Sequence, residues 1–283
     1  MRINNNISAL NTYRQYNTNT VAASKSMEKL SSGLRINRAA DDAAGLSISE
    51  KMKSQIRGLD QGTRNAQDGV SLIQTAEGAL NEVSSMLVRL KELSVQASNS
   101  TYSTDDKANI GSEMSALGAA IGDIYTKTKF NGISVFGTQT VAAGVIASND
   151  GSATTATIAY GEDGKQTIAI KDAKTSALNA LTTATAAAAT TPSGVTVDLV
   201  ESAITQVNMT RANYGAQQNQ LDHAANNMAT TKENLQAAES RVRDVDMASE
   251  MMEFTKNNIL VKAAQAMLAQ ANAQPQGVLQ LLQ

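Results

Sequence analysis

Val200, Val207, Tyr214, Leu221, Met228, Leu235 and Val242 recur at a strict seven-residue interval. Seven residues fall just short of two α-helical turns, so such a series stays on one face only if the helix winds left-handedly about a partner. The alternate seam positions are less pure, with Ile204 and Ala225 but also Arg211, Gln218 and Lys232. This is one apolar stripe rather than a full zipper. A matching series, Met52, Leu59, Ala66, Ile73, Leu80 and Leu87, supported by Ile56 and Val70, supplies the facing rod. That rod, a helix over about 45–97, would extend roughly 80 Å at 1.5 Å per residue. Gly58, Gly62, Gly69 and Gly78 would weaken it locally.

Composition agrees with thin helix-to-helix seams. Aromatics make up 3% of the 283 residues, Trp is absent, and the 42% hydrophobic share leans on Ala. Such side chains fill a seam more readily than a broad spherical core. The expected fold is therefore mainly α, an elongated antiparallel helical bundle or coiled coil. The balance of 24 basic and 26 acidic residues shows no clustered basic stripe, which argues against nucleic acid as a partner. Cysteine is absent, so disulfide and Cys-metal chemistry are excluded. No stretch approaches 18 uninterrupted apolar residues, so membrane insertion is not expected. "MRINNNISAL" lacks the apolar core of a secretory leader, and export would use another route.

Residues 1–128 and 197–274 are rich in helix formers without proline, whereas 130–196 are rich in Thr, Gly and Ala. "NSTYSTDDKANI" (99–110) breaks the first rod and offers Ser103 or Thr104 as the N-cap of a third helix, with Asp105 and Asp106 in its first turn. Ile110, Met114, Leu117, Ile121 and Ile124 continue that helix. "FNGISVF" (130–136) carries an Asn-Gly turn signal, and "TTATIAYGEDGKQTIAI" (154–170) reads as two strands about an Asp-Gly turn. A small β-hairpin element follows, with 182–194 as a loop; partial disorder is the alternative for this region.

Both ends of the chain carry apolar stripes. Ile3, Ile7, Leu10, Val21, Met27 and Leu30 form an imperfect apolar stripe, and Met247, Met251, Phe254, Val261, Leu268 and Ala271 form another at near-heptad spacing. Pro275 is expected to kink or restart the last helix, beyond which Val278, Leu279, Leu281 and Leu282 remain apolar. Burying each such side chain is worth roughly 1.5 to 3 kcal/mol, and two helices paired only with each other would leave much of that surface wet. Further copies of the same ends would cover it, so the ends would order on assembly.

Candidates for chemistry are sparse. His223, the single histidine, is expected on an outer face, and no triad, His₂ zinc site or HExxH motif exists. No cofactor is expected. Adjacent carboxylates Asp41 and Asp42 diverge on a helix and are read as caps of the rod starting near Ala43. Arg35, Asn37 and Arg38 precede them, and the five together are read as a hydrogen-bonded hinge or connector. The glycines of "GEDGKQ" suit a turn, not a phosphate cradle. Sequons at Asn6, Asn99 and Asn208 are read as chance, and the methionines as adaptable core packing.

"SSGLRINRAADDAAGLSISEKM" (31–52), "VRLKELSVQASNSTYS" (88–103), "FNGISVF" (130–136) and "AQAMLAQANAQPQGVLQLL" (264–282) together resemble bacterial flagellin, over about 1–140 and 197–283. The sequence between these regions is short, as in a compact flagellin without bulky outer domains. The resemblance implies a secreted, extracellular filament subunit whose segments 1–43 and 244–283 pair in an inner tube. Residues 44–196 and 197–243 would form the surrounding shell. It implies identical subunits as partners, together with an export chaperone, the export apparatus, the filament cap and the hook–filament junction proteins. Arg89, Leu93, Gln96 and Glu113 match positions by which family members engage the Toll-like flagellin receptor; equally, Arg89 and Glu113 could simply bridge adjacent helices and Leu93 could be core. Alternative readings are a junction protein with similar termini, a secreted receptor ligand, or a membrane-active helix, the last opposed by the few lysines of 247–283. An enzyme is the least expected.

Overall fold

The structure, a computed structural model, describes residues 6–136, 141–142, 145–146, 154–160, 166–171, 176–188 and 194–281. In chain order these form helices α1 (Ile7–Ser32), α2 (Ala43–Ser98) and α3 (Thr104–Lys127), then strands β1 (Lys129–Phe130), β2 (Ile133–Ser134), β3 (Val141–Ala142), β4 (Val145–Ile146), β5 (Thr154–Tyr160) and β6 (Gln166–Lys171). Helices α4 (Ser176–Ala187), α5 (Val197–Arg243) and α6 (Met247–Leu281) follow. The mainly helical class, the small β element and the pairing of first and last helices agree with the sequence reading. The chain divides into two compact units, one of 1–54 with 233–283 and one of 55–232.

Within the 55–232 unit, α2 and α5 run antiparallel, as three ion pairs show. As the α2 partner rises from Asp60 to Glu77 to Lys91, its α5 partner falls from Lys232 to Arg211 to Glu201, at 2.5, 3.7 and 2.8 Å. The heptad residues fill the seam between them: Leu59, Ala66, Ile73, Leu80 and Leu87 are buried on α2, and Val200, Val207, Tyr214, Leu221 and Met228 on α5. The second half of the seam differs from the sequence reading. It is built from Ala76, Val83, Leu90 and Ala97 on α2 and Ala203 and Thr210 on α5, whereas Ile56, Val70 and Ile204 are half-buried. Small residues escape an apolar-pattern reading yet let backbones approach. Gly69 shows why: a Cβ there would lie 2.9 Å from Ile158 Cγ1 and 3.2 Å from Leu221 Cδ1. A residue that weakens the isolated helix thus permits close packing in the folded chain.

Helix α3 opens with a capping box: Ser103 Oγ accepts from the Asp106 main-chain N–H at 3.2 Å, and Asp106 Oδ2 accepts from the Ser103 N–H. Two orphan donors at the helix start are thereby satisfied. Its deepest face is Gly111, Met114, Gly118, Ile121, Gly122 and Tyr125, one position round from the Ile110, Leu117 and Ile124 stripe. The Tyr125 ring packs on Phe136 with centroids 4.6 Å apart. Between them the β1–β2 hairpin turns at Asn131 and Gly132, both at positive φ, the geometry a two-residue hairpin turn demands. Strands β5 and β6 pair antiparallel, and alternate residues Ile168 and Ile170 are buried. The Asn65 side chain on α2 donates to the Ala159 carbonyl at 2.8 Å, fastening this hairpin. Its expected Asp-Gly turn lies outside the described residues.

The loop expected over 182–194 is overturned in its first part. The stretch read as a loop from residue 182 is helical through Ala187, as part of α4. Leu178, Leu181, Thr182 and Thr185 are buried at helical spacing, and a Cβ at Gly118 of α3 would overlap the Thr185 side chain. Alanine-rich sequence is intrinsically helix-forming, and tertiary packing against a glycine groove overrides the threonines. Residues 189–193 lie outside the described set.

Candidate assembly surface and connector

Asn6 starts α1. Its side-chain oxygen accepts from the Ala9 N–H at 3.1 Å while its Nδ2 donates to the Ala271 carbonyl of α6 at 2.7 Å. One residue therefore caps the first helix and ties it to the last. At the other end Gly33, at φ 72°, ends α1 in the left-handed conformation and donates to Lys29 O. Lys29 also pairs with Glu250 of α6 at 3.6 Å.

Between these ties the α1 side chains are sorted against expectation for an intramolecular pair. The positions turned inward are Asn19 and Ser26, only 7% and 4% exposed, with Ala9, Thr12, Tyr16, Ala23 and Leu30 half-buried. On α6, Asn257 and Ala264 are buried while Phe254, Val261, Leu268 and Ala271 are half-buried. The large apolar side chains Ile7, Leu10, Tyr13, Val21 and Met27 of α1 are exposed, as are Met247, Met251, Met252, Ile259, Leu260 and Met267 of α6. Leu10 is 62% exposed and Met252 69%. Exposed large apolar side chains therefore occur on both helices of the pair.

The sequence-predicted assembly residues thus fall into two sets. Ile7, Leu10, Val21 and Met251 are exposed, while Phe254, Val261 and Leu268 are half-buried. Leu10 and Leu268 line one open groove with Tyr13, Ala9, Asn6 and Asn272. Ile3 and Leu282 lie outside the described residues; Val278, Leu279 and Leu281 are placed in α6 by their backbone only. Helix α6 continues through Pro275 instead of restarting there: a proline removes one main-chain donor, while the flanking turns keep theirs. Sequence reasoning missed Tyr13, Met252, Ile259, Leu260 and Met267. The seven-residue spacing of Met252 and Ile259, beside the Phe254–Val261–Leu268 stripe, was the available signal. The methionines expected in the core divide likewise: Met52, Met114 and Met228 are buried, and Met27, Met209, Met247, Met251, Met252 and Met267 are not.

The connectors between helices are held by main-chain bonds. Leu34 and Asp244 form an antiparallel bridge, with the Arg35 N–H donating to Arg243 O at 2.7 Å and the Val245 N–H to Gly33 O at 3.1 Å. Arg35 Nη2 donates to Val242 O at 2.7 Å, and Ile36 is buried beside them. Asn37 Nδ2 donates to Ser32 Oγ at 2.9 Å, and Arg38 Nε to Glu28 Oε1 at 2.9 Å. The two aspartates do different work. Asp42 Oδ1 accepts from the Gly45 N–H at 2.9 Å and caps α2, whereas Asp41 Oδ2 accepts from the Arg38 and Asn37 N–H groups at 3.0 and 3.3 Å. Those bonds, Arg38 foremost, with Lys25 and Lys29 nearby, hold the Asp41 carboxyl below its ordinary range. Arg243 Nη1 reaches Glu50 Oε1 at 2.6 Å and Ser49 Oγ at 3.3 Å.

In the other unit, Arg89 bridges Glu92 on its own helix and Glu113 on α3, both at 2.9 Å. These carboxylates, Glu92 first, raise the guanidinium further above its usual range. Gln96 Nε2 donates to Tyr102 Oη at 3.3 Å. Arg89, Gln96 and Glu113 lie at the surface, whereas Leu93 is 2% exposed and belongs to the core. His223 is exposed. Among the described residues no His, Cys, Asp or Glu cluster could hold a metal ion, and no helix is long and apolar enough to cross a membrane.

Residues 3–140 match the bacterial flagellin N-terminal helical region and residues 197–282 the bacterial flagellin C-terminal helical region. The chain is 52% identical to a flagellin of Bacillus subtilis and 50% identical to one of Halalkalibacterium halodurans, in each case over the whole of both chains. It is 42% identical to a flagellar filament 33 kDa core protein of Treponema phagedenis, again over the full length of both. The chain belongs to the bacterial flagellin family.

Proposed function

We propose that this chain is the structural subunit of a bacterial flagellar filament, a helical homopolymer of identical subunits outside the cell, and not an enzyme. The observation that carries the reading is the outward placement of Leu10, Val21, Met251, Met252 and Ile259 on a helix pair whose most buried residues are Asn19, Ser26, Asn257 and Ala264. Such a pair is completed by other copies, and a contact between unlike faces that does not close into a ring yields an open helical filament. In this reading 1–43 and 244–283 form the inner tube, and 44–196 with 197–243 the shell. Arg35, Asn37, Arg38, Asp41 and Asp42 join the two. Electron microscopy of purified chain with and without filament seeds tests it: long filaments are expected with seeds, and persistent monomer in every condition would refute it.

Further partners follow from the same reading. An export chaperone would cover the apolar α6 face before secretion through the flagellar export apparatus, and the cap and hook–filament junction proteins would meet the same ends. Recognition of the monomer by the Toll-like flagellin receptor is supported by exposed Arg89, Gln96 and Glu113, with Leu93 acting from beneath to hold them. Reporter activation by the monomer is expected to fall in Arg89→Ala; an equal signal would remove the assignment.

A further inference from the structure

Five of the methionines lie on the terminal helix pair, and every one of the five is exposed: Met27 at 56% on α1, and Met247, Met251, Met252 and Met267 at 49, 50, 69 and 63% on α6. Met251 and Met252 line one shallow apolar depression with Thr255, Lys256 and Ile259. The methionines of the other unit include Met114 and Met228, which are 0 and 4% exposed. Thioethers are the side chains here most readily oxidised under mild conditions, in a chain without cysteine to compete.

We propose that these five methionines form an oxidation-sensitive gate on subunit addition: a subunit oxidised there before assembly is rejected by the filament, and a subunit already in the filament is shielded. The inference rests on the assembly reading above. The oxidant class is a two-electron peroxide. A sulfur lone pair attacks the terminal oxygen of hydrogen peroxide, forming the S–O bond as the O–O bond breaks. Proton transfer to the departing hydroxide releases water, so sulfur is oxidised and peroxide reduced. The product sulfoxide carries a strong dipole where a neighbouring apolar face must sit. Burying it without a donor is unfavourable. Met251, Met252 and Ile259 are neighbours on one surface, so a single oxygen there disturbs several contacts.

The test uses full-length monomer treated with hydrogen peroxide, site-resolved mass spectrometry, and seeded elongation. The five methionines are expected to gain oxygen at least about fivefold faster than Met114 and Met228, and elongation to fall roughly tenfold. In preformed filaments the same five are expected to be protected. Both epimer-specific methionine sulfoxide reductases together are expected to restore elongation. Replacing all five by leucine, a near-isosteric change, is expected to give a chain that elongates with or without peroxide, whereas Met209→Leu, on exposed α5 surface, leaves the sensitivity in place. Elongation of the oxidised chain at the untreated rate, or continued sensitivity of the five-leucine chain, overturns the gate while leaving the filament reading intact. If the five-leucine chain does not assemble, failure of the reductases to restore the native chain overturns it instead. An untreated chain that never elongates seeds overturns both.

Discussion

The main-chain N–H of Arg35 donates to the carbonyl of Arg243 at 2.7 Å, joining the segment that leaves α1 to the segment that enters α6. The Arg35 guanidinium adds a second bond to the adjacent Val242 carbonyl at 2.7 Å. The helix pair is thus clamped at the connector by bonds that need no large apolar core.

Arg35→Ala keeps the main-chain bridge and loses the side-chain bond. A charge-assisted hydrogen bond contributes about 1.5 to 3 kcal/mol when well formed, and the exposure of this one favours the lower end. Filaments of the variant are expected to dissociate at lower temperature, measured by light scattering on heating, with the secondary structure of 55–232 unchanged.

Asp41 gives the connector a defined acid response. Its folded carboxyl titrates below its ordinary value, so the stabilisation is complete above that ordinary value and is lost as pH falls through the lower folded one. Carboxyl NMR titration is expected to place Asp41 below the unfolded reference, and Asp41→Asn is expected to abolish the local acid-induced shift at Asn37 and Arg38 amides. A carboxyl titrating at or above the reference would contradict the hydrogen-bond assignment.

Ser103→Ala removes the capping box of α3. A lost cap of this kind costs about 1 kcal/mol, which lowers melting by roughly 2 to 4 °C for a domain of this size. Circular dichroism melting of the monomer measures it, and an unchanged midpoint would mean the cap is not formed in solution.

The polar seam makes an opposite prediction. Asn19→Leu with Asn257→Leu replaces buried polar groups by apolar ones between α1 and α6. Buried asparagine in such a seam fixes register at a cost in stability. The double variant is expected to slow amide exchange in the terminal helices of the monomer by about fivefold, an effect of roughly 1 kcal/mol. Unchanged or faster exchange would show that the asparagines stabilise the pair.

Much of this was legible in the sequence, and the gaps have a common cause. The α2 and α5 seam, the Ser103 cap and the Asn131–Gly132 turn were readable because each is a local pattern of period, cap or turn chemistry. Gly69, Ala76 and Ala203 were missed as seam residues because a small side chain signals packing only through what approaches it. Helix α4 was missed because its buried face, Leu178, Leu181, Thr182 and Thr185, is short and half polar, and it forms against the Gly118 groove. On α1 and α6 the sequence implied that further copies cover the surplus apolar surface without saying which residues face them and which face the paired helix. Large side chains mark the intramolecular face only when the partner belongs to the same chain.

The most direct measurement is limited proteolysis of the same preparation as monomer and as seeded filament, with fragments located by mass spectrometry. The account predicts that the monomer loses about 40 residues from each end, in keeping with weakly paired termini, while the filament resists. Equal protection of 6–32 and 247–281 in monomer and filament would contradict completion of these helices by neighbouring subunits.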